Sequence, residues 1–125
     1  MSNLTYRELP SFAKEFKKIE KKFDTLSEDF AMAKKAAIEL FHVRCINNQS
    51  TFEIPEYKGT EKIYKLRKFA CQSLKGRGVK SGIRIIYAWN NKTMLVTFIE
   101  IYFKGNKENE DKGRIKEYLK SIENS

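Results

Sequence analysis

The chain has 125 residues, 41% of them hydrophobic, with 25 Lys or Arg against 16 Asp or Glu and a formal net charge of +9. That length suits one domain with a core of its own, and two prolines and six glycines are the usage of a folded chain, which excludes a disordered basic tail and a multidomain assembly. No stretch approaches the roughly 18 apolar residues of a spanning helix and the N-terminus has no apolar leader core, so a soluble, unexported cytoplasmic protein is expected, with Cys45 and Cys71, which follow no metal or redox spacing, as reduced thiols.

An apolar-polar alternation over Leu4 to Leu9 predicts a first strand, and Pro10-Ser11 marks a helix entry. Phe12, Phe16, Ile19 and Phe23 then recur at helical spacing, with Lys14, Lys17, Lys18, Lys21 and Lys22 on the remaining arc. Thr25-Leu-Ser-Glu28 has the form of a capping box and opens a second helix, whose stripe is Phe30, Ala33, Ala37, Leu40 and Phe41. Its alanines allow close approach to the first helix in an antiparallel hairpin. Residues 44 to 60 lose all periodicity and read as a long irregular connection.

From Ile63 the pattern changes to β. Strands are predicted over Ile63 to Cys71, Ile83 to Trp89 and Met94 to Phe103, separated by the Gly-rich loop Lys75 to Gly82 and the turn Asn90-Asn91-Lys92. The last is almost continuously apolar, which suits a central strand covered on both faces. Asn109-Glu110-Asp111 opens a final helix with acids in its first turn and Ile115, Leu119 and Ile122 as its stripe. The expected architecture is a single α+β domain over residues 1–125: an N-terminal helical hairpin packed on an antiparallel, about four-stranded twisted sheet, with a short C-terminal helix.

Charge is distributed unevenly over these elements. Lys62 to Lys92 holds nine cations (Lys62, Lys65, Arg67, Lys68, Lys75, Arg77, Lys80, Arg84 and Lys92) and no Asp or Glu, interleaved with Tyr64, Phe69, Tyr87 and Trp89. A folded surface of one sign concentrates polyanions and releases their counterions, which favours nucleic acid as the partner. Side-chain alternation puts Lys65 and Arg67 on one face with Ile63 and Phe69, about 7 Å apart at roughly 3.3 Å per residue, close enough to straddle adjacent phosphates. An ordinary solvated strand face is the plain alternative. Arg84 counts against it, because it alternates with Ile83 and Ile85 and a charge in such a strand must reach solvent, a partner or a ligand. The loop Gly76-Arg-Gly-Val-Lys80-Ser81 lacks the glycine before its lysine that a phosphate-cradling loop requires and reads as a hairpin loop with basic tips. His42, the single histidine, falls outside the basic strands and reads as structural. No metal-ligand cluster, Ser-His-Asp arrangement or pair of acids falls within the basic region, so metallo-hydrolase and serine-hydrolase readings have no support.

Taken in order, Ser11-Phe-Ala-Lys-Glu-Phe-Lys-Lys18, Tyr64-Lys-Leu-Arg67, Gly82-Ile-Arg-Ile-Ile-Tyr87 and Ile101-Tyr-Phe-Lys-Gly-Asn-Lys-Glu-Asn109 resemble the RelE/ParE superfamily of bacterial toxin-antitoxin toxins, closest to its RelE and HigB-like branch. The resemblance covers most of the chain. It implies helices on one face of an antiparallel sheet and a toxin that enters the ribosomal A site and cleaves mRNA without metal or cofactor. There the ribose 2′-OH attacks the adjacent phosphate while basic residues stabilise the dianion. By motif, Lys65, Arg67, Arg84 and either Lys104 or Lys107 match the catalytic cations, with Lys62, Lys68, Lys75, Arg77, Lys80 and Tyr87 as the surrounding RNA-binding surface. The family's C-terminal tyrosine has no counterpart at the corresponding place, so the motif assigns no general acid or base. The implied partners are a cognate acidic antitoxin, mRNA and ribosomal RNA, and no membrane. A ParE-like poison of gyrase and a non-catalytic domain binding nucleic acid or antitoxin are the alternatives from other classes.

Overall fold

The computed structural model describes residues 4–46, 49–67 and 82–123. The Gly-rich loop up to Ser81, Cys71, and the candidate RNA-binding residues Lys68, Lys75, Arg77 and Lys80 lie outside them. In chain order the elements are β1 (Thr5–Glu8), α1 (Pro10–Glu20), α2 (Leu26–Ala33), a π-helical stretch (Lys34–Glu39), α3 (Leu40–His42), β2 (Thr51–Glu53), β3 (Lys62–Leu66), β4 (Ile83–Asn90), β5 (Leu95–Phe103) and α4 (Lys112–Glu123).

The α+β class holds, but the sheet is five-stranded and mixed, ordered β1-β5-β4-β3-β2, with β1 parallel to β5 and every other pair antiparallel. Two expectations are corrected here. The strand count rises because Thr51–Glu53, inside the segment read as irregular, pairs with Tyr64, Lys65 and Leu66. Three residues are too few to carry a period-two signal. The helices also occupy both faces instead of one. Phe12, Leu26, Phe30 and Ile38 pack with Tyr64, Tyr87 and Phe98 on one side, whereas Ile115, Tyr118 and Leu119 of α4 pack with Ile63, Ile86 and Ile99 on the other. Each fully buried Ile or Phe contributes roughly 1.5–3 kcal/mol, and β5 uses both faces, which explains its unbroken apolar run.

The capping box does not form. Thr25 makes no side-chain bond to the helix backbone, and its hydroxyl donates instead to Asp29 Oδ2 at 2.8 Å. Further along, the π stretch closes its hydrogen bonds one residue later than an α-helix and rotates the buried stripe, so Ile38 becomes fully buried where the 3.6-residue period named Leu40 and Phe41.

A register shift between Ile86 and Tyr87 pairs Ile86 with Glu100 and Tyr87 with Phe98. Ile99 is therefore the extra residue of a bulge, a device that re-aims side chains. Ile99 and Glu100 both turn towards the α4 side. Beyond β1, the free edge of β5 is closed by a bidentate pair: Arg114 donates to both carboxylate oxygens of Glu15, at 2.8 and 3.0 Å, and to Ile99 O, while Ile101 N–H donates to Glu15 Oε1. α4 is also held at its far side, where Tyr118 donates to the buried Glu61 carboxylate at 2.6 Å and receives a bond from Arg7.

Candidate nucleic-acid interface

The strand registers place Lys65, Arg84, Glu100 and Tyr102 on the α4 side, since Lys65 is opposite Ile86, Ile86 opposite Glu100, and Arg84 opposite Tyr102. Arg67 joins them by reaching over the β2 strand, its guanidinium 5.6 Å from the Phe52 ring. Arg84 donates to the Arg67 carbonyl at 2.9 Å. Its pKa is lowered, first by burial and next by the Arg67 charge. The two arginines are thus neighbours whose like charges repel, an arrangement that an incoming anion relieves.

Lys65 has a different environment. Its Nζ is 2.6 Å from Glu110 Oε1, with the two side chains only 20% and 9% exposed. It also donates to the Tyr102 hydroxyl. Burial opposes ionisation of Glu110, but the Lys65 hydrogen bond and charge, with a backbone bond, outweigh it and leave its pKa lowered. Tyr102 is shifted the other way: burial raises its pKa, against the lowering effect of Lys65. Lys107 pairs with Glu100, whose other oxygen accepts the Asp111 N–H at 2.7 Å. Glu100 is fully buried, so this carboxylate is the peg around which the segment between β5 and α4 folds.

Lys104 is exposed at the end of β5, where its backbone N–H donates to Gly82 O at 2.8 Å. Gly82 itself requires its residue type, having φ +85° and only 2.9 Å from a would-be Cβ to the Phe103 ring. Lys62 is exposed at the opposite end of β3, opposite Trp89. Tyr87 is placed away from any RNA-binding surface: it is fully buried on the α1–α2 side, with its hydroxyl 2.8 Å from His42 Nε2. His42 stacks on Trp89 at 4.4 Å between ring centroids, and burial pushes its pKa down to about 4.

The fold therefore brings Arg67, Arg84, Lys65 and Lys107 to one side, and adds three groups that sequence reasoning did not assign: Tyr102, Glu100 and Glu110. Absence of acids from Lys62 to Lys92 is a property of the chain, not of the surface. The chain matches no protein-family model, no curated protein and no solved structure.

Proposed function

We propose that this protein is the toxin of a type II toxin-antitoxin pair, a metal-independent endoribonuclease that cleaves mRNA on the ribosome and is held in check by an acidic antitoxin. The order of the sequence motifs motivates the reading, and one observation carries it: the Arg84 guanidinium leans on the Arg67 backbone carbonyl instead of a carboxylate, within reach of the Arg67 charge. A guanidinium without a carboxylate partner can take a phosphate bidentately and stabilise the charge that develops on it.

The reaction needs a proton taken from the 2′-OH and one given to the departing 5′-oxygen. Glu110, its carboxyl held ionised by Lys65, is the acceptor on this face, and Lys65 is the donor that can lose a proton, which Arg cannot. Attack of O2′ on phosphorus breaks the P–O5′ bond and leaves a 2′,3′-cyclic phosphate and a 5′-hydroxyl. Proton return from Glu110 to Lys65 across their short contact restores both groups.

The test is induced expression with primer extension, followed by single-turnover cleavage on programmed ribosomes. Cuts confined to translated mRNA are expected; growth arrest with intact transcripts would refute the reading. The two ion pairs favour a second reading, since Glu110 and Glu100 neutralise Lys65 and Lys107. On that reading the protein is a binding domain for nucleic acid or antitoxin, or a gyrase poison, and a DNA-damage response without mRNA cuts would select the latter.

A further inference from the structure

A cleft of about 290 Å³ opens between the end of α1 and the last residues of β5. Binding pockets for drug-sized ligands run from roughly 300 to 1,000 Å³, so this one suits a single nucleoside and not a helix or a long lipid tail. Its apolar lining is Phe23, Tyr102 and Phe103 with Ile19 and Ile101. Phe103 is fixed edge-on between two glycines, since a Cβ at Gly82 or Gly105 would come within 2.9 or 2.8 Å of its ring. Phe23 meets it with ring centroids 5.9 Å apart.

Polar groups surround this apolar floor. The Asn106 side chain, whose amide can donate and accept along a base edge, is exposed and belongs to the lining. Lys18 and Lys22, four positions apart and both exposed, border it on the α1 side. Glu15 is the acid in the lining, and its carboxylate is already engaged by Arg114. Tyr102 and Lys107 belong both to this cleft and to the charged face described above, so the two are continuous around the edge of β5.

We infer that the cleft is a nucleobase subsite: a splayed-out base of single-stranded RNA stacks on Phe103, with Phe23, tilted by 59° to that ring, against its edge, and its flanking phosphate on Lys18 and Lys22. Proteins that read unpaired RNA combine these parts, aromatic faces for the base and cations for the backbone. The inference deepens the RNA reading of the neighbouring face, and it makes Lys18 and Lys22, at and just past the end of α1, part of the interface.

Binding to the free protein tests it without any need for catalysis. Amide resonances of Lys22, Phe103 and Asn106 are followed while adenosine monophosphate, uridine monophosphate, ribose 5-phosphate or decanoate is added. Saturable shifts with the nucleotides, about ten-fold weaker with ribose 5-phosphate, are expected, because the base supplies the stacking. Lys18→Glu with Lys22→Glu should weaken nucleotide binding about ten-fold, and Asn106→Ala should alter the ratio between the two nucleotides. An equal response to ribose 5-phosphate, or saturable binding of decanoate alone, or no saturable shift, would overturn the proposal. Nucleotide binding by a protein that leaves mRNA intact would support this site while refuting the ribonuclease.

Discussion

Arg84 emerges from a strand whose neighbours Ile83 and Ile85 are fully buried, and its described hydrogen bonds go to backbone carbonyls. Replacing it with alanine should therefore leave the fold within about 1 kcal/mol of the parent while lowering single-turnover cleavage by about 10² to 10³, the usual cost of one preorganised donor to a developing anion. Thermal unfolding and rate measurements on the same sample separate the two effects. Glu110 offers the opposite sign. Glu110→Gln removes the charge that occupies Lys65, so RNA affinity measured by fluorescence anisotropy should rise several-fold, whereas cleavage should fall about 10² through loss of the proton acceptor. A variant that binds more tightly and also cleaves faster would make Glu110 a mask and nothing more. The shared face of Lys65 and Arg67 was legible from a period of two, and Arg84 was singled out by its apolar neighbours Ile83 and Ile85. Tyr102 and Glu110 were not, because Glu110 is 45 positions from its partner and the bulge at Ile99 breaks the alternation that would have related β5 to β3. Tyr87 was misplaced for a plainer reason: an aromatic ring among cations looks like a stacking platform whichever face it occupies.

At the scale of elements, apolar periodicity located α1, α4, β4 and β5 closely and missed what depends on hydrogen-bond spacing or on a distant partner. The π stretch is the clearest example. No residue in Lys34–Glu39 marks it, yet it sets the phase with which α3 delivers His42 into the cage of Tyr64, Tyr87 and Trp89. That cage has a consequence for pH. The folded state holds His42 at about 4 and the unfolded chain at its ordinary 6.5, so between those values the unfolded state binds the extra proton. Stability from this group is complete above about 6.5 and declines as the pH falls towards 4. The loss should be on the order of 1–2 kcal/mol, reduced from the full linkage value by the ring's remaining solvent access. Urea titrations across that interval check it, and His42→Gln should flatten the slope. Glu110 adds a second loss that begins as the pH falls through the ordinary 4.5, where the unfolded chain takes up that proton, and runs down to its lowered folded pKa.

For the molecule as a whole, the Glu15–Arg114 pair ties the first helix, the β5 edge and the last helix together. Both side chains are partly shielded, and the Glu15 hydrogen bond, the main cause, holds the Arg114 pKa up against the lowering effect of burial. Glu15→Gln should cost about 1–2 kcal/mol, as expected when a charge-assisted bidentate contact is lost at a partly covered site, seen as a lower urea midpoint with an unchanged m-value. The same connectivity sets a timetable for synthesis. β1 is made first, but its hydrogen-bonding partner is Leu95 to Phe98, and the edge clamp waits for Arg114. A nascent chain can form the helices from α1 to α3 early, yet it has no completed sheet until the C-terminal third has left the exit tunnel. Long-range pairings of this kind delay closure of the native structure. The cationic face is thus among the last surfaces of the fold to be completed, since Lys107 and the Glu110 that pairs with Lys65 follow β5 in the chain.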